Sequence, residues 1–293
     1  MGYRSVFRDG LFAGRCIVVT GGGSGIGRCT AHELAALGAA LALVGRRREK
    51  LEAVADEIAA AGAARPSIHP CDVRIEEEVA HTVAAIVEAH RRIDGLVNNA
   101  GGQFSAPLKD ISQKGWETVV RTNLTGGFLM ARECFRRSME AEGGAIVNII
   151  ADMWRSMPGM GHSGAARAGM LNFTMTAALE WAYAGVRVNA VAPGWIASSG
   201  MATYPPEMRA RLKEMWRQVP LKRLGTESEV SAAIVFLLSE AASFVSGACL
   251  RVDGAVPNAR SNWPLPDHDR SEPYYGFPLE TPPDFLRRDN GRV

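Results

Sequence analysis

Seven short, mostly apolar runs punctuate the chain: Cys16–Val19, Ala40–Gly45, Ser67–Cys71, Gly95–Asn98, Ala145–Ile150, Val186–Ala192 and Ala248–Val252. Stretches with helical spacing of apolar and polar residues alternate with them. The first starts at Arg28, the next ends at Ala61. Others span Glu76–Arg91, Lys114–Ala141, Ser163–Ala184, Pro206–Gln218 and Glu227–Ser239. Near-continuous apolar strands between helices predict a parallel sheet buried on both sides. The fold class expected is α/β: a doubly wound, seven-stranded parallel sheet with helices on both faces. A length of 293 residues admits one large domain or two small ones. The unbroken alternation favours one domain over residues 1–256. Beyond Ala255 the pattern stops. Pro257, Pro264, Pro266, Pro273, Pro278, Pro282 and Pro283 forbid helix there, which leaves an irregular tail over 257–293. Such a tail either wraps the body or a neighbour, or is a disordered end.

Ligands of sheets like this bind beyond the strand C-termini. The turn after the first strand, Thr20-Gly21-Gly22-Gly23-Ser24-Gly25-Ile26-Gly27, is glycine-rich and opens a helix. Glycines let the backbone turn sharply and approach a phosphate without a side chain in the way. The helix start supplies unpaired N–H groups and the positive end of a dipole. Strand, turn and helix in this order are the context a dinucleotide site requires. Arg46, Asp72, Asn99 and Pro193 also stand at strand C-terminal ends, so they share one edge of the molecule.

Composition adds exclusions. The net charge of +2 supplies no field for nucleic acid. Five cysteines, an odd number without paired spacing, read as reduced thiols and a cytoplasmic location. The N-terminus lacks an apolar signal core, and no run approaches the roughly 20 apolar residues of a membrane span. Gly291-Arg292-Val293 is not a peroxisomal address. No metal site is expected.

Thr20–Gly27, the run Asn98-Asn99-Ala100-Gly101, Asn123 and Pro193-Gly194 together resemble the short-chain dehydrogenase/reductase family over about residues 10–256. The resemblance implies a Rossmann-type sheet around a nicotinamide dinucleotide. Three stretches are similar to one branch, the peroxisomal trans-2-enoyl-CoA reductases, with the dienoyl-CoA reductases next. They are Asn99–Phe104, Thr122–Gly126 and His162–Gly169, and the tail segment Pro266–Asp269 agrees. That branch implies NADPH-dependent reduction of a carbon–carbon double bond conjugated to a CoA thioester.

Family members that use NAD place an acidic residue at the end of strand two. Here Gly45 stands there and Arg46 follows. An arginine attracts a 2′-phosphate that a carboxylate would repel, so NADP(H) is the expected cofactor. Arg47 either joins it or, with Arg48, starts a solvated helix. By the family pattern Thr20, Gly21, Ser24, Gly25, Ile26 and Gly27 hold the pyrophosphate. Asp72 and Val73 meet the adenine, and Asn99, Ala100 and Gly101 pack along the ribose. Pro193, Gly194 and Ile196 border the nicotinamide.

The catalytic pattern breaks. The resemblance implies a tyrosine with a lysine four residues on, but Ser163 and Arg167 occupy those positions. The family serine falls near Ile150 or Ala151. Of the usual set, Asn123 remains. A serine ionises far less readily than a phenol of pKa about 10, and an arginine keeps its proton. Alkoxide chemistry needs a matched acid. Enolate formation needs hydrogen-bond donors at one oxygen. The replacements therefore favour enoyl reduction. Candidate donors are Ser163, His162, a water held by Asn123, and Asp152 in the loop after strand five. Arg167 would steady Ser163 and the nicotinamide ribose. Each has a plainer reading. Ser163 also suits a helix N-cap, His162 a helix start, and Asp152 a solvated loop. Asn123 sits mid-helix, where asparagine is a poor former. Three functions stay open: the enoyl-CoA reductase, a relative acting on another carbonyl or alcohol, and an inactive dinucleotide-binding protein.

Trp195–Gln218 mixes Met201, Tyr204, Met208, Met215 and Trp216 with Arg209, Arg211, Lys213 and Arg217. It reads as a substrate lid with an acyl-lining face and cations for CoA phosphates, or as an ordinary amphipathic helix. The expected partners are an acyl-CoA-like substrate and, from the resemblance, copies of the chain in a dimer or tetramer. No nucleic acid or membrane is expected.

Overall fold

The computed structural model describes residues 2–287. Its strands are β1 Cys16–Thr20, β2 Ala40–Gly45, β3 Ser67–Pro70, β4 Gly95–Asn98, β5 Gly144–Ile149, β6 Val186–Pro193 and β7 Cys249–Val252. They form one parallel sheet in the order β3-β2-β1-β4-β5-β6-β7. Alternate residues face opposite sides. Ile17, Val19, Leu41 and Leu43 pack against α1 Gly25–Ala36, α2 Arg48–Ala60 and α9 Glu227–Leu238. Val18, Ala42, Val44 and Leu96 pack against α3 Glu76–His90, α5 Gly126–Cys134 and α7 Gly161–Glu180. Because each face has its own core, the strands read as apolar runs rather than alternating ones.

Strand order reverses at β1. The chain walks outward to β3, then returns to place β4 on the other side of β1. This switch point opens a crevice between the C-termini of β1 and β4, bounded by Gly21 and Asn99. Behind it a buried polar chain ties the second face together. Asn98 donates to Asn148 (2.9 Å) and Asn148 donates to Thr174 of α7 (2.9 Å).

Several element bounds differ from those expected. α1 starts at Gly25, not Arg28, because the Arg28 N–H already bonds the Ser24 carbonyl at 3.2 Å. β3 stops at Pro70. The long helix expected over Lys114–Ala141 is α4 Gln113–Val120, α5 and α6 Glu140–Glu142, joined by π-helical turns at Arg121–Thr125 and Phe135–Met139. α7 begins at Gly161 with Met160 as its N-cap and ends at Glu180, before a 3₁₀ turn Ala182–Ala184. α8 spans Pro206–Glu214 and continues as a 3₁₀ turn through Gln218.

The tail lies along its own body. Arg4 N–H donates to the Gly276 carbonyl (2.8 Å) and the Tyr274 hydroxyl to the Arg4 carbonyl (2.7 Å). Phe277 is buried against Tyr3 and His32. Glu280 accepts from the Glu227 N–H at the start of α9 (2.9 Å). The expected segment Pro266–Asp269 docks on the turn before α9, where Asp267 pairs with Lys222 (3.3 Å) and His268 meets the Pro220 carbonyl. Gly291-Arg292-Val293 lies outside the described residues. All five cysteines are free thiols. Among the described residues no helix is long and apolar enough to cross a membrane.

Candidate functional site

The turn after β1 is fixed by what surrounds it. Gly21 has φ +66°, and a Cβ there would sit 2.8 Å from the Asn99 amide nitrogen. A Cβ on Gly27 would meet the same nitrogen at 2.5 Å and run into the Gly21 carbonyl. Asn99 explains both. Its side chain donates to the carbonyls of Thr20 (3.0 Å) and Gly21 (3.3 Å), which clamps the turn to β4. Thr20 completes the clamp. Its buried hydroxyl accepts from the backbone N–H groups of Asn99 and Ala100, both at 2.9 Å, and donates to the Val97 carbonyl. Thr20 is therefore behind the cavity wall. Ile26 likewise packs into the core. Ser24 is exposed and its hydroxyl makes no capping bond, so the first N–H groups of α1 face outward unpaired by a side chain.

A cavity of about 200 Å³ opens in front of this turn. Gly21, Ser24, Arg46, Arg47, Asp72, Val73, Asn99, Ala100 and Gly101 all line it. Lys50 and Arg74 line it too. Neither stands out in the sequence, although each follows a strand end by a few residues. Arg46, Arg47 and Lys50 form no hydrogen bond or ion pair through their side chains among the described residues. Arg48 points elsewhere and pairs with Glu52 (3.3 Å), the solvated helix-start role. Arg74 grips both oxygens of Asp72, with Nε at 2.9 and 3.1 Å. This holds the Asp72 carboxyl below the usual aspartate range. Asp72 thus remains an acceptor, with lone pairs beyond those Arg74 uses. A side-chain-free turn, outward N–H groups and a cation-rich far end fit a phosphorylated dinucleotide.

Deeper in the cleft, Asn123 lies in the first π turn and is 2% exposed. Its carboxamide accepts from the Gly102 N–H and donates to the Gly102 carbonyl, both at 2.9 Å. The side chain thereby ties the π turn to the loop after β4. Gly101 fits between Asn123 and Arg167; a Cβ there would lie 2.7 Å from an Arg167 nitrogen. Arg167 donates to the Ile149 carbonyl, not to Ser163 as expected, because one turn of α7 carries it to the end of β5. Its Nε is buried without a partner. Burial pulls its pKa down to about 10, still well above neutrality, so the cleft holds a fixed cation.

Ser163 is inside α7 and fully buried, so it is no N-cap. Its hydroxyl donates to the Gln103 carboxamide oxygen (2.7 Å), and the Gln103 nitrogen donates to the Tyr204 hydroxyl (2.8 Å). His162 is also fully buried within the helix. Its Nδ1 accepts from the Ser163 N–H (2.8 Å), its Nε2 has no partner, and its ring meets Phe104 edge-on at 4.4 Å. Gln103 and Tyr204 are the residues of this group that the reading did not single out as a site.

Asp152, Pro193, Gly194 and Ile196 gather at the ends of β5 and β6. The Asp152 N–H bonds the Pro193 carbonyl (3.1 Å), and Gly194 packs so closely on Asp253 that a Cβ would fall 2.7 Å from its Cα. Burial, and then the nearby Asp253 charge, raise the Asp152 pKa. Asp152 is thus not the ordinary solvated aspartate. At the start of the segment Trp195–Gln218, Trp195 and Ile196 line a cavity of about 390 Å³ with Val219 and Leu221, while most of its other apolar residues pack inward. Trp195, Tyr204, Met208, Met215 and Trp216 pack around Met201, Leu212 and Leu224, and Phe285 and Leu286 of the tail close the cluster.

Known proteins resemble this chain over most of its length. A family described as enoyl-(acyl carrier protein) reductase matches residues 21–256. A citronellol catabolism dehydrogenase of Pseudomonas aeruginosa PAO1 has a solved structure similar to this one. It is 62% identical, with a TM-score of 0.78, over 87% of this chain and 99% of that one. A probable 2,4-dienoyl-CoA reductase of Bacillus subtilis strain 168 is 35% identical over 82% of this chain and 95% of its own. A glucose 1-dehydrogenase of Gluconobacter oxydans strain 621H is also 35% identical, over 86% of this chain and 96% of its own.

Proposed function

This chain belongs to the short-chain dehydrogenase/reductase family, an oxidoreductase family that binds a nicotinamide dinucleotide, and on that premise we propose that it reduces the carbon–carbon double bond of trans-2-enoyl-CoA thioesters with NADPH. One observation carries the reading. The nucleotide cradle is intact, while the phenol and amine of the family's alcohol chemistry are replaced by a buried, hydrogen-bonded Ser163 and the fixed cation Arg167. NADPH supplies a hydride when bound. Arg46, Arg47 and Lys50 would hold its 2′-phosphate, the α1 start its pyrophosphate, and Arg167 its nicotinamide ribose. Asn123 fixes Gly102, and so the loop that faces the substrate. Asp152, protonated to higher pH than a free aspartate, can deliver the proton that the α-carbon takes up. The similarity to a dienoyl-CoA reductase supports the substrate class.

The purified protein should oxidise NADPH, followed at 340 nm, when given crotonyl-CoA or a longer, branched enoyl-CoA. A second reading draws on the 62% identity to a citronellol catabolism dehydrogenase: oxidation of an acyclic terpenoid alcohol. Reduction of NADP⁺ by citronellol, with thioesters inert, selects that reading instead. Binding of NADPH with turnover of neither substrate selects a non-catalytic role. Met175, Leu179 and Tyr183, exposed along α7 and the turn after it, support a homo-oligomer, which sedimentation would measure.

A further inference from the structure

We propose that Tyr204 is a catalytic residue: its phenol donates the hydrogen bond that steadies the substrate's developing oxyanion, in place of the phenol missing at position 163. The inference rests on the enoyl-thioester reading above. Ser163 is poorly placed for the task. It is fully buried and its one hydrogen is engaged by Gln103 at 2.7 Å. Tyr204 differs on both counts. It is only half-buried, and Gln103 donates to its oxygen at 2.8 Å, so its own O–H is left to give. Gln103 is exposed, and one carboxamide separates the two hydroxyls. The phenol is thus held one carboxamide away from the Ser163 hydroxyl, the family's tyrosine position, at a less buried place.

Two supports fix it there. Its ring belongs to the apolar cluster of Met201, Leu212 and Leu224 beneath α8. Gln103 follows Gly102, the residue that Asn123 clamps from the π turn. The Gln103–Tyr204 bond therefore joins the segment before α8 to the loop after β4, and the phenol is delivered only when these two meet. In the step itself, the β-carbon gains a hydride and forms a C–H bond. The alkene π pair shifts to give an enolate with charge on the thioester oxygen. Tyr204 donates to that oxygen and keeps its proton. The α-carbon then takes one proton from a separate acid, which yields the saturated thioester. Gln103 acts through Tyr204 and is a positioning residue.

The test is single-turnover oxidation of NADPH by crotonyl-CoA in stopped flow. Tyr204→Phe should slow it about 100-fold, the usual cost of one oxyanion donor. Ser163→Ala should slow it less than tenfold. NADPH affinity, read by quenching of protein fluorescence, should stay within twofold in both, since neither residue lines the nucleotide cavity. Gln103→Leu should lower kcat with little change in KM, and adding it to Tyr204→Phe should cost nothing more. A Tyr204→Phe rate within threefold of wild type, or Ser163→Ala as the slower variant, overturns the assignment while the reductase reading stands. A wild-type protein inert to every enoyl-CoA but active on an alcohol overturns both.

Discussion

At one end of the cleft, Arg46, Arg47 and Lys50 stand around a cavity with no side-chain hydrogen bond or ion pair among the described residues; at the end proposed to react, Ser163, Gln103 and Tyr204 hold one another. Apart from Arg74, which grips Asp72, the cations of the first region make no side-chain hydrogen bond or ion pair among the described residues, so their charge is left for a ligand to neutralise. Its rigidity comes from the backbone, through glycines that let Asn99 clamp the turn. The second region is rigid in the opposite way. Its polar side chains, from the buried Ser163 to the exposed Gln103 and half-buried Tyr204, hold one another in a hydrogen-bonded chain, which orients donors before charge develops. On the proposed reading, affinity for the cofactor and orientation of the substrate are built from different materials within one crevice.

Breaking the backbone clamp should have the largest effect. Gly27→Val would drive a side chain into the Gly21 carbonyl and the Asn99 amide, and nucleotide binding should be lost, as titration with NADPH would show. Asn123→Ala sharpens the contrast from the other side. It frees Gly102 and Gln103, so kcat should fall about 100-fold while NADPH affinity changes little; equal loss of both would make the two regions one unit. Arg46→Glu should weaken NADPH by about tenfold to 100-fold and NADH hardly at all, measured by fluorescence titration. Equal weakening would remove the case for a 2′-phosphate at this end.

The smallest effect lies outside both regions. Glu227 and Glu280 touch where the tail meets α9, and burial pushes the pKa of each up to about 7, Glu280 adding to the shift at Glu227 while Arg28 opposes it. A carboxyl raised in the folded state favours folding most when protonated. Its contribution is complete below about 4.5 and is lost as pH rises through about 7. The melting temperature should therefore fall by a few degrees between pH 5 and 8. Glu280→Gln should flatten part of that fall, since the amide oxygen can still accept from the Glu227 N–H.

The legibility of the two regions in the sequence follows from distance along the chain. The strands, the glycine turn and Arg46 were readable because apolar runs and turn chemistry act over a few residues. Asn123 betrayed itself as a poor helix former, and the helix indeed changes to a π turn around it. The π geometry itself left no local mark. Ser163 as an N-cap failed because the helix starts two residues earlier, among Pro158, Gly159 and Gly161, with no capping side chain. Gln103 and Tyr204 were not readable as a pair because they are 101 positions apart and neither is unusual where it stands. The apolar stripe of Trp195–Gln218 was visible, but Phe285 and Leu286, which fill its underside, come from the far tail. Lys50 and Arg74 needed only the rule already applied to Arg46, carried a few residues further.

Arg4 and Gly276 close a seam between the segment before β1 and the segment after β7, with Tyr274 bonding back to Arg4 and Phe277 seated on Tyr3. Synthesis at about 5–20 residues per second separates the emergence of these partners by tens of seconds. Throughout that interval the outer side of α1, around Arg28 and His32, has no tail to cover it. That face of α1 is therefore closed only once the segment around Phe277 has been made, in which Tyr274 stands 270 positions after the Arg4 it seals against.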